Sequence, residues 1–148
     1  MKEGIIMTMM DLAHHIIAVA HKNNIPVTNL QLQKVMFFSL KYAMNDSLLS
    51  EGVIKATYDR PFLVWRYGPV EKDIYERYKV YGSDPILEKN NENENFRSLN
   101  DQIIKLLKES VFKLVRKSHE EPFWRDNEKN INGWRSDVEY TLADVAKE

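Results

Sequence analysis

The stretch from Thr28 to Met44 constrains the fold of this chain more than any other. Leu30, Leu32, Val35, Met36, Phe37, Phe38, Leu40, Ala43 and Met44 recur at helical spacing and cover most of a helix circumference. A helix that is apolar nearly all round belongs at the centre of a fold. Its start is marked by Thr28 and Gln31 at capping-box spacing, with Val27 and Leu32 placed as a hydrophobic staple. Leu32, Phe37 and Phe38 are the expected core of this spine. Lys34 falls among them, either as a buried ammonium in an ion pair or as a lysine whose stem covers apolar surface while its head reaches water. Wrapping such a helix requires other apolar faces. The 148 residues, 43% hydrophobic, are enough for one domain over 1–148, which buries roughly 68–70% of the surface of its unfolded chain.

Composition removes several classes of function. There is no cysteine, hence no disulfide framework, thiolate zinc site, iron–sulfur cluster or cysteine nucleophile. A formal charge of −1 and a pI near 6.4 argue against a chain built mainly to neutralise phosphates. The apolar run of the spine is broken by Gln31, Gln33, Lys34 and Lys41, so it reads as a core helix and not a membrane span. Residues 1–7 lack a long hydrophobic region and read as a flexible N-terminus without a secretory signal. The expected compartment is the cytoplasm.

The rest of the pattern is mostly helical. Met9, Ala13, Ile16, Ile17 and Ala20 form one stripe, opened by Thr8 and Asp11 and closed at Asn23-Asn24-Ile25-Pro26. Val53 to Tyr58 and Phe62 to Tyr67, rich in β-branched and aromatic residues, predict two short strands around Asp59-Arg60-Pro61. Pro69 then stands at the first position of a helix carrying Val70, Ile74, Tyr78 and Tyr81 as far as Gly82. Residues 88–95, polar and low in complexity, form a solvated loop. Phe96, Leu99, Ile103, Leu107, Val111 and Leu114 predict one helix from Phe96 to Lys117. A last helix starts at Ser136, where Glu139 repeats the capping-box spacing, and carries Tyr140, Leu142 and Val145. The expected fold is therefore mainly α: a compact bundle of about five helices around a central buried helix, with a small two-stranded β element.

Catalytic signatures are weak. His14 and His21 are seven residues apart on one helix, too far to share an ion, whereas side chains three or four apart converge; with His15 they read as surface or groove-lining, and no metal is expected. No nucleophile elbow or phosphate-cradling glycine loop occurs, with five glycines scattered over the chain. His119, Glu120 and Glu121 stand before a proline, as a solvated turn does. The helix pair at 8–44 has helix-turn-helix spacing, but its second helix is too apolar to lie open in a DNA groove. The expectation is a protein that is not an enzyme, uses no cofactor and does not bind nucleic acid.

The aromatic residues point elsewhere. Trp65-Arg66-Tyr67-Gly68-Pro69-Val70 puts two rings and an arginine at a turn, and Phe123, Trp124 and Trp134 follow late in the chain. Trp, Tyr and Arg are the types enriched at interface hot spots, since each buries a large area and keeps a polar tip. As a set they predict a recognition surface.

The same blocks carry a family resemblance. Thr28-Asn29-Leu30-Gln31-Leu32-Gln33-Lys34-Val35-Met36-Phe37-Phe38 resembles the Thr-x-x-x-Leu-Gln-Lys-Leu-x-Tyr-Phe helix start of the Panacea domain, the SocA-like antitoxin family of bacteria and their phages. In the same order, Trp65 to Val70 with Ile74-Tyr75 is similar to its Ala-Trp-x-x-Gly-Pro-Val…Val-Tyr block. Tyr81-Gly82-Ser83-Asp84-Pro85-Ile86 is similar to its Tyr-Gly-x-x-Pro-Ile, and His119 to Trp124 to its His-x-x-x-Pro-Trp tail. Phe123 displaces the tail tryptophan by one residue, and Thr57 to Val64 is bulkier than the family's approach to the first tryptophan. The resemblance implies a non-catalytic antitoxin that neutralises a cognate toxin encoded beside it, in some members with a chaperone or a protease component. A proteolytic adaptor or a phage-associated regulatory binding protein is the alternative, and a homodimer through the exposed aromatics is equally reasonable. Trp65, Arg66, Tyr67, Gly68, Pro69, His119 and Trp124 are the expected partner-binding residues.

Overall fold

The computed structural model describes residues 7–148, and the N-terminal stretch expected to be flexible lies outside them except for Met7, which is buried. Eight α-helices are described: α1 (Met9–Lys22), α2 (Asn29–Asn45), α3 (Glu51–Thr57), α4 (Lys72–Tyr78), α5 (Asn100–Lys108), α6 (Val111–His119), α7 (Pro122–Asn127) and α8 (Leu142–Ala146). Two strands, β1 (Phe62–Trp65) and β2 (Gly68–Glu71), pair antiparallel with Phe62 opposite Glu71 and Trp65 opposite Gly68. Short 3-10 helices cover Lys79–Tyr81, Glu94–Leu99 and Glu128–Asn130. The fold is mainly α with a small two-stranded sheet.

Every residue from Leu32 to Lys41 is buried, and α2 packs against α1, α3, α4, α5, α6, α8 and β2. It is the hub that its apolar circumference requires. Phe37 meets Phe38, Phe62 and Tyr140 edge-on, with ring centroids 5.2–5.6 Å apart. Such geometry directs the positive edge of one ring at the negative face of the next. The Thr28 hydroxyl accepts from the Gln31 amide as expected. The Gln31 side chain does not return the bond; it donates to the Leu107 carbonyl at the end of α5. Lys41 donates to Glu121 at 2.9 Å and to the Lys147 carbonyl at 2.6 Å, tying the start of α7 and the end of α8 to the hub.

Four sequence expectations are corrected. Val53 to Tyr58 is not a strand. Ser50 caps α3 and Glu51 pairs with Lys55 one turn on, while Ile54 and Thr57 share the buried face; the β-branched composition misled, and the apolar spacing was helical. The strands instead flank Arg66-Tyr67, so Pro69 lies within β2 and does not open a helix. The single helix over 96–117 is broken twice, at the Leu99–Asn100 junction of a 3-10 turn with α5 and at Glu109-Ser110, where Glu109 is extended. Serine favours helix ends over interiors, and the apolar spacing runs through the break. Ser136 does not start a helix: its hydroxyl donates to the Val64 carbonyl, and residues 136–140 run extended beside β1. The last helix begins after a complete capping box of Thr141 and Asp144. The six-residue helix α7 over Pro122–Asn127 has no counterpart among the sequence expectations.

Residues 88–95 contain no helix or strand before Glu94, yet they are anchored rather than only solvated. Glu88 accepts from the Tyr78 hydroxyl at 2.6 Å and from Arg77 at 2.8 Å. The Asn93 amide donates to Nδ1 of His15 at 2.9 Å, and that ring's Nε2 donates to Asn100 at 2.7 Å. His15 is therefore fully buried and structural, not groove-lining, and His21 likewise ties the Ile86 carbonyl. Burial holds the His15 pKa below its ordinary value of 6.5. The unfolded chain binds the proton more readily, so this contribution to stability is present above about pH 6.5 and lost as pH falls through the lowered folded value. Wild-type protein should lose more stability between about pH 7 and pH 5 than His15→Gln does, read from denaturant midpoints; equal losses would assign the acid sensitivity to other groups.

Candidate functional site

A two-stranded hairpin exposes unpaired main-chain groups on both edges, and here each edge is closed from elsewhere. On β2, Gln33 bonds both main-chain groups of Glu71, accepting from its N–H at 2.8 Å and donating to its carbonyl at 3.1 Å. Its neighbour Lys34 donates to the Pro69 carbonyl at 2.7 Å. On β1, Val64 N–H donates to the Val138 carbonyl, Arg66 N–H to that of Trp134, and Tyr140 N–H to that of Phe62. Lys34 thus fits neither sequence reading: it is fully buried, and its partner is a carbonyl.

The turn itself is held at its carbonyls. Trp124 Nε1–H donates to the Trp65 carbonyl at 2.9 Å, and His119 Nε2 bonds that of Arg66 at 2.8 Å, the two side chains stacked with centroids 3.9 Å apart. The Arg66 guanidinium is tied to the Gly133 carbonyl through both Nε and a terminal nitrogen. Of the expected partner-binding residues, then, Trp65, Gly68, Pro69 and Trp124 are buried, while Arg66 and Tyr67 are exposed and His119 is half-buried. The structure brings all seven to one hairpin turn and divides them into those that hold it and those that it presents.

Beside the turn lies a cleft of about 500 Å³. The first turns of α2 give Asn29, Leu30 and Gln33 to it, and the hairpin gives Trp65, Tyr67 and Val70. Tyr75, Lys79, Gly82 and Ser83 also line it, together with the exposed Phe112 and Trp134. Trp65, Tyr75 and Trp134 form an edge-to-face triad with centroids 5.2–6.1 Å apart. The Arg135 guanidinium lies 4.4 Å from the Trp65 ring centre and 4.5 Å from that of Trp134, which fixes the two indoles by cation–π attraction. Tyr67, Phe112 and Trp134 are 55%, 73% and 43% exposed. The contribution of Tyr75, Phe112 and Asn29 was not read from the sequence. Phe112 sits off the apolar stripe of its helix, and that misplacement is the signal that could have found it.

Among the described residues no group of three or more histidine or acidic side chains is placed to hold a metal ion, and no helix is long and apolar enough to cross a membrane. Compared with protein-family models, with curated proteins and with solved structures, the chain matches none.

Two outcomes test how the turn is built. Gly68 has φ +106, and a Cβ there would stand 2.4 Å from Ser118 Oγ and 2.9 Å from the end of Lys34. Gly68→Ala should therefore destabilise by about 2 kcal/mol or more, measured by chemical denaturation; a change within about 0.5 kcal/mol would mean that the contacts yield freely. Burial lowers the Lys34 pKa to about 7, so between about pH 7 and pH 10.5 the unfolded chain holds more protons and stability rises with pH. Above about pH 10 the buried Tyr78 and Tyr140 and the partly buried Tyr58, with hydroxyl pKa values pushed up by burial, act in the opposite sense. A gain in denaturant midpoint from about pH 7 to pH 9 that is lost in Lys34→Met assigns it to this ammonium; an undiminished gain in the variant assigns it elsewhere.

Proposed function

We propose that the protein is an antitoxin-like binding protein that neutralises a cognate toxin encoded nearby by docking its cleft face on that toxin, with no catalysis of its own. One observation carries the reading. Tyr67, Phe112 and Trp134 are three of the five large hydrophobic residues that stay exposed among the described residues, and all three surround the same cleft. Singly exposed apolar side chains are ordinary; a cluster around a concavity marks an interaction surface. The blocks from Thr28, Trp65 and Tyr81, on which the resemblance to the Panacea family rests, supply Asn29, Trp65, Tyr67, Gly82 and Ser83 to that cleft, which supports a partner-binding role for it.

On this reading the cytoplasm is the working compartment, and burial of the rim aromatics occludes the toxin's active or target-binding surface. A chaperone or protease component would engage another face. Arg66, tied to Gly133, contributes by holding the rim; Tyr67, free of such ties, makes the direct contact.

The test is growth rescue. Neighbouring open reading frames are expressed singly and then with this protein; one frame should arrest growth alone and allow it on co-expression. Tyr67→Ala should weaken the toxin complex by about 1–2 kcal/mol, a hot-spot amount, with the melting temperature shifted by no more than about 2 °C. Absence of any toxic neighbour, or rescue undiminished by Tyr67→Ala, overturns the reading.

A further inference from the structure

The turn that carries Trp134 also holds the chain's one Asn-Gly pair, Asn132-Gly133. Main-chain bonds of 2.9 and 3.4 Å between Asn132 and Arg135 close a two-residue loop of Gly133 and Trp134. Gly133 has φ +71, whereas Trp134 does not share a positive φ. Positive φ at the first central residue alone defines the type II′ turn, which calls for glycine there. Asparagine before glycine has a reaction of its own, because no side chain on the second residue shields the nitrogen between them. That nitrogen, once deprotonated, attacks the asparagine side-chain carbonyl carbon.

The surroundings leave Asn132 open to this attack. Asn132 and Gly133 are exposed, and nothing stands within 4 Å of the place that a Gly133 Cβ would take. The Gly133 N–H donates to no acceptor among the described residues. The Asn132 side chain is likewise untied, whereas its neighbours Asn127 and Asn130 donate to the Phe123 carbonyl and to the Asn127 side chain, at 2.9 and 3.1 Å. Asn24 and Asn91 are untied too, but Ile25 and Glu92 follow them, and those side chains screen the nitrogen. The closing bond from Arg135 N–H, at 3.4 Å, is long for an N–H···O bond. Its opening lets Asn132 bring Cγ against the Gly133 nitrogen.

We infer that Asn132 converts spontaneously to isoaspartate and that the conversion takes down the Trp134 wall of the cleft. Hydroxide removes the Gly133 amide proton, the nitrogen bonds to Asn132 Cγ, and the Cγ–Nδ2 bond breaks, releasing ammonia that carries off a proton from water. The resulting succinimide takes up one water. Cleavage of its Cγ–N bond gives aspartate in the ordinary chain; cleavage at the former main-chain carbonyl gives isoaspartate, with the chain routed through Cβ and Cγ. Nothing is oxidised or reduced, and water is the co-reactant. In isoaspartate the main chain is one carbon longer, and the carbonyl that accepted from Arg135 N–H has become a free carboxylate. The ties on either side shift with it: the Gly133 carbonyl holds the Arg66 guanidinium, the Trp134 carbonyl holds the Arg66 N–H, and the Arg135 guanidinium lies against Trp65 and Trp134. The chain thus has a limited lifetime as a binder, shorter at higher pH because the attacking nitrogen must be deprotonated. The modification stands on the turn alone; its effect on recognition rests on the docking reading above.

The experiment needs no partner. The full folded chain is aged in mildly alkaline buffer and digested with trypsin, which cuts after Lys129 and Arg135 and releases residues 130–135 as one peptide. That peptide should gain the mass difference between an acid and an amide, with fragment ions placing the change on Asn132 and not on Asn130. It should elute as two products, the isoaspartyl one accepting a methyl group from a protein isoaspartyl methyltransferase. The near-ultraviolet circular dichroism of the tryptophans should decay in step with the conversion. Asn132→Gln, altered at an exposed side chain without hydrogen bonds, should fold as the wild type does and keep both peptide and spectrum through the same ageing. Freshly prepared Asn132→Asp, which has the new charge without the extra backbone carbon, should keep the spectrum. An Asn132 that converts only in urea, that ages no faster than Asn130, or that converts with the tryptophan spectrum unchanged overturns the inference, as does equal loss of the spectrum in aged Asn132→Gln. The two readings fail separately. A stable Asn132 with rescue lost in Tyr67→Ala leaves the docking reading standing and removes this one; conversion and loss of the spectrum with rescue intact in Tyr67→Ala does the reverse.

Discussion

A hairpin of four-residue strands cannot hold itself together in water, and everything at the cleft depends on how this one is completed. Gln33 and Lys34, adjacent in a helix otherwise filled with Leu, Val, Met and Phe, supply the missing partners along β2. Their place on the most buried stretch of the chain looks unfavourable, since burying polar groups costs free energy. It is offset because each finds main-chain groups that would themselves be orphaned without it. The helix supplies side chains where a third strand would have supplied backbone.

The site follows from that arrangement. With β2 fixed to α2 and β1 fixed to the extended segment at 134–140, the turn at Arg66-Tyr67 has little freedom, and His119 and Trp124 remove most of the rest by bonding its carbonyls. Trp65 is then presented edge-on to Tyr75 and Trp134, and Arg135 fills the angle between the two indoles. Rigidity of this kind lowers the conformational entropy lost on association. It also explains why the aromatic residues are buried at the base and exposed at the rim: those that make the wall are held by it.

How far the sequence could be read depended on the range of the interaction involved. The hub at Thr28–Met44, the capping at Thr8 and the buried stripe through Phe96, Ile103 and Leu107 are local patterns, and they read directly. Of the two expected strands only that from Phe62 was placed correctly. The helix at Glu51–Thr57 is set locally by its Ser50 cap, but what holds Phe62–Trp65 extended lies far away, in Ser136, Val138 and Tyr140. The same holds for the site. Trp65, Arg66 and Tyr67 stood out by residue type, whereas the roles of Asn29 and Lys34 depend on atoms dozens of positions distant, for which local spacing carries no sign.

The bonds that close β1 join Val64 to Ser136, 72 residues further along the chain. During synthesis β1 and β2 therefore leave the ribosome long before the segment that covers their outer edge exists. For that interval Phe62, Val64 and Trp65 are left as an apolar segment without its outer partner, the kind of segment that pairs with other chains. That exposure ends only when residues 134–140 have emerged and docked. Completion of the sheet and completion of the cleft are then one event, so a chain interrupted before Trp134 lacks one wall of the cleft and leaves β1 open on that side.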